Sequence, residues 1–182
     1  LIVQEKDSTY LVIGCYDHHL KKINAETGSL VWQYKYDDVI KGTGTLVRND
    51  SASNPEDRFV ILQGSRRGLR NSLSSKLVFS YRAISYLTGK ELWRMNIPRD
   101  RSWSRDVDAS ALILNDTAYI GLENGTFRVF DPFETVVESK HDTSWIAPKV
   151  YKEHKLYRKD DRKRHGGNLV TESSPTKLGN HI

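Results

Sequence analysis

A chain of 182 residues, 37% hydrophobic and 28% charged, is long enough for one domain with a hydrophobic core and is not typical of a disordered chain. Its longest largely apolar runs, Tyr10–Ile13 and Ala109–Leu114, are much shorter than the roughly 20 residues that cross a bilayer, so we expect no membrane span. The net charge of +5 could favour an anionic partner, but Lys and Arg are interleaved with Asp and Glu, as on a solvated surface, and we expect no nucleic-acid binding.

The first predicted unit covers residues 8–47 and consists of short strands. Tyr10–Tyr16 is a strand-like run, and Leu20–Ile23 continues as the next strand after a polar reversal. A Thr-Gly pair at residues 27 and 28 predicts a tight turn, because Gly accepts the positive φ that such a reversal needs. The alternating run Leu30–Tyr36 is typical of a half-buried strand, and Gly42–Val47 is predicted to open the fourth strand.

The second predicted unit covers residues 56–109 and repeats the first with an insertion. Phe59–Leu62 is the strand that corresponds to Tyr10–Tyr16, and the polar, Arg-containing segment Ser65–Lys76 interrupts the repeat. Leu77–Ile84 resumes the strand and runs into a second Thr-Gly turn, after which Arg94–Arg105 is predicted to be a loop.

The third predicted unit, residues 110–150, has strong hairpin signals at Asn115-Asp116 and at Asn124-Gly125. Its closing half departs from the pattern, because Asp131–Glu134 replaces the Thr-Gly turn and Glu138 stands where a Trp would fall. Residues 170–182 are similar to the start of the third unit and are predicted to open a further one.

The pattern that ties these units together is Ile23–Trp32, which returns as Ile84–Trp93 with Trp at the same distance from Thr-Gly. Four short strands in each unit indicate an all-β protein, a β-propeller of four-stranded antiparallel blades. Complete propellers have about 4–8 blades, so we expect a fragment of about three to four blades, with the remainder of the propeller missing from this chain.

The repeat resembles that of the pyrroloquinoline-quinone-like propellers, the quinoprotein alcohol dehydrogenase-like superfamily. In that family the blade tryptophans dock between neighbouring blades, which implies a structural role for Trp32 and Trp93. The residues that carry the repeat are Gly14, Ile23, Thr27, Gly28, Trp32, Ile84, Thr88, Gly89, Trp93 and Gly121.

Enzymes of this superfamily hold their quinone under a vicinal disulfide and bind calcium through Glu, Asn and Asp. With only Cys15, this chain cannot form that disulfide, and Asp106 and Asp108 have no companion ligands in a recognisable arrangement. We therefore expect no catalytic, cofactor-binding or metal-binding residues here. The alternative is a quinone-dependent dehydrogenase whose catalytic residues, with their quinone and calcium, lie outside this chain.

The loop around residues 103–108 is the best candidate for a ligand-facing segment, since rigid propellers place their contacts on unusual connections. Its candidate residues are Trp103, Arg105, Asp106 and Asp108. The resemblance implies a non-catalytic scaffold or binding module, extracytoplasmic, with an unidentified protein or small ligand as partner. A lumenal or periplasmic sensor domain is a second alternative, which glycans on the sequons at Asn49, Asn115 and Asn124 would favour.

Overall fold

The computed structural model describes residues 1–166 and 168–179, and places twelve strands of this part of the chain in three four-stranded antiparallel sheets. This architecture confirms the predicted all-β class with propeller-like blades. Each sheet is a meander in which consecutive strands pair. None of the helices among these residues is long and apolar enough to span a membrane.

The three sheets are called blades 1, 2 and 3 in chain order. Blade 1 consists of β1 (Ile2–Glu5), β2 (Ser8–Gly14), β3 (His19–Asn24) and β4 (Leu30–Lys35). Blade 2 consists of β5 (Thr45–Arg48), β6 (Phe59–Gly64), β7 (Tyr81–Ser85) and β8 (Glu91–Met95). Blade 3 consists of β9 (Leu112–Leu114), β10 (Thr117–Leu122), β11 (Thr126–Lys140) and β12 (Thr143–Lys155). A 3₁₀ turn at Pro55–Asp57 and a short helix α1 at Asp161–Arg164 complete the elements.

The structure divides the strands differently from the predicted units at the start of each blade. The segment predicted to supply the fourth strand of the first unit is instead the first strand of blade 2, because β5 pairs with β6 from Arg48↔Phe59 to Thr45↔Leu62. Blade 1 takes its first strand from Ile2–Glu5, ahead of the predicted boundary. The long connection 36–44 carries the chain from one sheet to the next, which local sequence patterns do not show.

Blade 3 is closed by a long two-stranded ribbon rather than by a short turn. Strand β11 continues through Asp131–Glu134 with a register shift and pairs with β12 as far as Lys140↔Thr143. The position equivalent to Trp93 is occupied by Lys152, not Glu138, since Lys152 pairs with Val129 as Trp93 pairs with Ala83. The predicted further unit at 170–182 shows only an isolated bridge at Leu178 within residues 170–179, and residues 180–182 lie outside the described part.

The interfaces between blades are built from the same row of apolar residues in each following blade. In blade 2 the row is Leu46, Ile61 and Ile84, which are cross-strand partners and pack towards blade 1. In blade 3 the equivalent row is Ile113, Ala118 and Phe130, which pack towards blade 2. Ile61, Ile84, Ala118 and Phe130 have no exposed surface, so each interface excludes water at its centre.

A tryptophan from the fourth strand of one blade donates to a backbone carbonyl of the next blade, which lies in a turn in blade 2 and in the irregular part of strand β11 in blade 3. Trp32 Nε1 donates to the Tyr86 carbonyl at 2.9 Å, and Trp93 Nε1 donates to the Pro132 carbonyl at 2.8 Å. The two acceptors occupy equivalent positions in blades 2 and 3, one residue after the third-strand residues Ser85 and Asp131. An indole thus buries its apolar surface while its N–H keeps a hydrogen bond.

The turn that receives Trp32 requires a glycine for two reasons. Gly89 has φ = +71°, and a Cβ built on it would lie 2.7 Å from the Trp32 ring. Gly28, in the same turn of blade 1, has φ = +72° but no heavy atom within 4 Å of a built Cβ. The two glycines therefore share the backbone requirement, and only Gly89 has the indole against it.

Polar pairs also cross the interface between blades 1 and 2. The Lys22 ammonium, 3% exposed, lies 3.7 Å from the centre of the Tyr86 ring and 3.0 Å from a Glu5 carboxylate oxygen. The Arg82 guanidinium, also 3% exposed, pairs with Asp37 and Glu91. Because both cations are removed from water, these pairs fix how the blades are oriented more than they add stability.

We expect Gly89→Ala to destabilise the chain more than Gly28→Ala, although both changes place an alanine at the same positive φ. Gly28→Ala should lower the free energy of unfolding by about 1 kcal/mol, the cost of the left-handed backbone. Gly89→Ala should lower it by a further ~1–2 kcal/mol, because the methyl group displaces the Trp32 indole. Urea unfolding of the two variants measures the difference, and equal costs would show that the indole contact contributes nothing.

Candidate functional site

The connections that follow the second and fourth strands of each blade meet at one edge of the sheets. This loop edge consists of residues 36–44, 65–80, 96–111 and 123–125. Glycines at the ends of second strands allow the close approach: a Cβ on Gly14 would overlap Ile40, and one on Gly64 would overlap the Val107 carbonyl. Gly121 has the same position in β10, with Thr171 against it. The loop edge is where charged side chains of different blades come together.

Asp106 joins the loop before blade 3 to the insertion in blade 2. The Arg67 backbone N–H donates to Asp106 Oδ1 at 3.0 Å, and Arg66 Nε donates to Oδ2 at 3.3 Å. The Asp106 residue is 9% exposed, whereas the Arg66 side chain is 49% exposed. Asp106 therefore orders the start of the insertion and leaves the Arg66 guanidinium partly in solvent.

Asp108 pairs with Lys41, which comes from the connection between blades 1 and 2. Lys41 Nζ lies 2.6 Å from Asp108 Oδ2, and this hydrogen bond raises the pKa of the Lys41 ammonium. Asp108 Oδ1 is buried and has no hydrogen-bond partner among the described residues. Gly42 allows the two segments to approach closely, since a Cβ on Gly42 would overlap the Asp108 carbonyl.

Glu123 is a buried carboxyl at the β10–β11 turn, and nothing in the sequence points to its role beyond the turn pattern Glu-Asn-Gly. Glu123 is 4% exposed, and its Oε2 accepts a hydrogen bond from Ser104 Oγ at 2.5 Å. Burial raises the pKa of this carboxyl to about 7, and the nearby carboxylates of Asp106 and Asp108 act in the same direction. A site with a carboxyl that titrates near neutrality is a candidate for function.

Arg105 is buried and ties the loops of this edge to one another. It is 1% exposed, and its guanidinium donates to the Ile97 carbonyl and to the Ser75 carbonyl, both at 2.6 Å. Burial, with Arg67 and Arg99 nearby, lowers its pKa to about 10. Of the four residues proposed for a ligand-facing loop, Trp103 is exposed to 49%, while Arg105 and Asp106 are buried and Asp108 is partly so.

The residues of the predicted repeat lie at equivalent places in blades 1 and 2. Ile23 and Ile84 are in the third strands, Thr27-Gly28 and Thr88-Gly89 form the following turns, and Trp32 and Trp93 are in the fourth strands. None of these side chains lies at the loop edge. These residues stabilise the blades and the contacts between them, whereas the charged groups that could contact a ligand come from the connections.

The acidic residues of the loop edge are not grouped as metal ligands among the described residues. Within residues 1–166 and 168–179, no group of three His, Cys, Asp or Glu side chains could hold a metal ion. Asp106 and Asp108 each form an ion pair with a cation of the chain, Arg66 and Lys41, and Cys15 is the one cysteine of the sequence. The arrangement is one of ordered, charge-paired loops.

Comparison with known proteins gives likenesses of fold. No family model and no curated protein matches the chain. The chain is similar to the crystal structure of BamB from Moraxella catarrhalis, at 14% identity and a TM-score of 0.45 over 84% of this chain and 50% of that chain. It is also similar to a europium-containing methanol dehydrogenase, at 16% identity and a TM-score of 0.42 over 81% of this chain and 24% of that chain.

The chain spans half or less of the length of both solved structures. At these identities and scores the likenesses carry nothing about activity or partners. What the structure confirms is the predicted class of fold, an all-β chain with four-stranded antiparallel blades.

We expect Arg105→Lys to destabilise the chain by about 2–4 kcal/mol, because an ammonium cannot serve two carbonyls with the planar fork of a guanidinium and leaves a buried group unpaired. Arg101→Lys, on the exposed part of the same loop, is the matched control and should change stability by less than about 0.5 kcal/mol. Thermal and urea unfolding measure both. Equal effects of the two substitutions would show that Arg105 does not tie the loops.

We expect Glu123→Gln to stabilise the folded chain at pH 8 and not at pH 4.5. The folded chain holds the Glu123 proton up to a pH of about 7, above the ordinary value of 4.5, so this group contributes stability at low pH that is lost as pH rises through 7. Glutamine carries no charge, so at pH 8 the free energy of unfolding of the Glu123→Gln chain should be about 1–2 kcal/mol higher than that of the parent. Glu172→Gln, an exposed change of the same charge, is the control, and a difference that does not depend on pH would contradict the assignment.

Proposed function

We propose that this chain is a non-catalytic propeller segment that acts as a protein-binding scaffold through its loop edge. The contact surface, called the binding loops, consists of residues 66–76 and 99–103. As the family resemblance implies, an extracytoplasmic location is part of this proposal. The observation that supports it is the combination of exposed apolar side chains with exposed arginines on loops that hydrogen bonds hold in one arrangement.

The exposed apolar residues of the binding loops are large. Leu69 is 70% exposed, Trp103 is 49% exposed and Leu73 is 40% exposed. Exposed large apolar side chains on ordered loops are typical of interaction sites, and Trp and Arg are among the residues most enriched at the energetic centres of protein interfaces.

The cations of the binding loops favour a partner with acidic groups. Arg70, Arg99 and Arg101 are exposed, and no carboxylate of the described chain lies within ion-pair distance of them. A partner that offers both carboxylates and apolar side chains would complement this surface. Such charges increase the rate of association and the selectivity for a partner more than they add affinity.

The binding loops are held in place by hydrogen bonds to each other and to the rest of the loop edge. Arg105 donates to the Ser75 carbonyl, and Arg99 Nη1 donates to the Leu73 carbonyl at 3.4 Å, so the two loops are joined at two points. Asp106 fixes the other end of the insertion through the Arg67 N–H. A surface that is ordered before binding loses less conformational entropy when a partner docks.

The test is binding to a fluorescent random copolymer of glutamate and tyrosine, an acidic polypeptide with apolar side chains. We expect saturable binding that weakens with salt and that falls by about tenfold in Trp103→Ala and in the double variant Arg70→Glu/Arg101→Glu. The double variant Arg162→Glu/Arg164→Glu makes the same charge change in the other basic segment and should bind as the parent does.

Heparin, a polyanion without apolar side chains, separates the proposal from unspecific attraction. If heparin bound as tightly as the copolymer, or if the Arg162→Glu/Arg164→Glu variant lost binding equally, the surface would be a general anion binder and the proposal would be wrong. Absence of any binding to the copolymer would also overturn it.

A further inference from the structure

The ribbon of blade 3 packs against the fourth strand of blade 2 and leaves a cleft beside that contact. On the ribbon, Trp145 and Ala147 are buried, whereas Val137 and Ile146, which pair with each other, are exposed. The cleft has a volume of about 350 Å³, and small-molecule sites usually have ~300–1,000 Å³. We call it the ribbon cleft, and its apolar wall consists of Met95, Pro98, Trp145, Ala147, Pro148 and Val150.

Trp145 carries a buried hydrogen-bond donor that lacks an acceptor. Its ring packs edge-on against Phe79, with ring centres 5.0 Å apart. The indole Nε1 makes no hydrogen bond to the described residues, whereas Trp32 and Trp93 both donate to backbone carbonyls. A buried donor without an acceptor is unfavourable and rare, so an acceptor supplied by a ligand would stabilise this side chain.

The Trp145 ring has space in which to move. A second cavity, of about 280 Å³ and lined by Phe79, Leu92 and Ser144, also borders Trp145. Because cavities border the ring where packed side chains would otherwise hold it, the indole can turn and direct its N–H into the ribbon cleft.

Arg128 on β11 supplies a second donor to the ribbon cleft. This residue is 8% exposed, and its Nε donates to Glu153 at 2.7 Å while its Nη1 donates to the Asn96 carbonyl at 3.0 Å. Within residues 1–166 and 168–179, Nη2 has no acceptor. Two acceptors therefore hold the guanidinium in place, and a third N–H group is left for a ligand.

The charges around the ribbon cleft balance, which favours an uncharged ligand. The Arg128 guanidinium is paired with the Glu153 carboxylate. Glu138 and Lys140, which also line the cleft, have opposite charges and lie on the same face of β11. A charged ligand would therefore meet both attraction and repulsion, whereas a neutral carbonyl oxygen loses less hydration when it enters the cleft.

The ribbon cleft thus combines an apolar wall with two N–H donors. We propose that it binds a small uncharged molecule with a planar apolar ring and a carbonyl group, of the chemical class of an aromatic amide. The ring packs against Met95 and Ala147, since thioethers pack well against aromatic rings. The carbonyl oxygen accepts from Trp145 Nε1 and Arg128 Nη2. The residues that carry this proposal lie outside residues 66–76 and 99–103, so it does not rest on the function proposed for the binding loops.

The test is titration of N-acetyl-phenylalanine amide into the isotope-labelled chain, followed by NMR at the indole N–H signals of the four tryptophans. The signal that is lost in Trp145→Phe is that of Trp145. We expect a saturable downfield shift of this signal, because the N–H gains an acceptor, and no such shift for Trp103. Two related probes, 2-phenylethylammonium without a carbonyl and N-acetyl-phenylalanine with a carboxylate, should bind at least about tenfold more weakly.

Variants of the chain locate the binding in the ribbon cleft. Trp145→Phe keeps an aromatic ring and removes the donor, so the amide should bind about tenfold more weakly, as followed at the Ala147 backbone N–H, and Trp103→Phe is the matched control. Ala147→Leu leaves both donors and fills the cleft, and it should also weaken binding about tenfold. Val137→Leu, on the exposed face of the ribbon, should bind as the parent does. Unchanged spectra of blade 1 establish that each variant is folded.

Any of five results would overturn the proposal. They are no saturable shift of the Trp145 indole signal, equal binding of the amide and 2-phenylethylammonium, carboxylate binding as tight as that of the amide or tighter, binding that Trp145→Phe leaves unchanged, and binding that Ala147→Leu leaves unchanged. If the glutamate–tyrosine copolymer displaced the amide, the cleft would belong to the surface of the binding loops, and this would contradict a separate site.

Discussion

The contact on which the rest of the structure depends is a blade tryptophan whose indole N–H donates to a backbone carbonyl of the next blade. It occurs twice, from Trp32 to the Tyr86 carbonyl and from Trp93 to the Pro132 carbonyl. An isolated four-stranded meander has two faces to cover, and each blade covers one by packing on its neighbour. The contact sets the position of each sheet, and the glycine at the turn that receives Trp32 permits it there.

Fixed blades allow the loop edge to be both ordered and polar. The charged residues there come from connections in different blades, and they meet because the blades pack on one another through their apolar rows. Lys41 reaches Asp108 from the connection before blade 2, and Arg105 reaches two carbonyls at the base of the loops. These contacts specify one arrangement of the loops, and Trp103 and the neighbouring arginines stay in solvent.

The sequence predicted the features that recur and missed those that occur once. The Thr-Gly turns and the following tryptophans are local patterns, so the third and fourth strands of blades 1 and 2 could be inferred from residues 23–32 and 84–93. Two features depend on strand pairing that local patterns do not encode. They are the place of Thr45–Arg48 in the second blade and the closure of blade 3 by a ribbon. Glu123 looked like a turn residue because its burial and its bond to Ser104 arise only when two loops meet.

The central claim, that the indole on its glycine turn joins the blades, is tested most directly by combining Trp32→Ala with Gly89→Ala and measuring the free energy of unfolding. If the two residues act through one contact, the cost of Gly89→Ala in the Trp32→Ala chain falls to the backbone cost of about 1 kcal/mol, and the two effects are not additive. If Gly89→Ala costs the same with and without the indole, the blades are held together by other contacts.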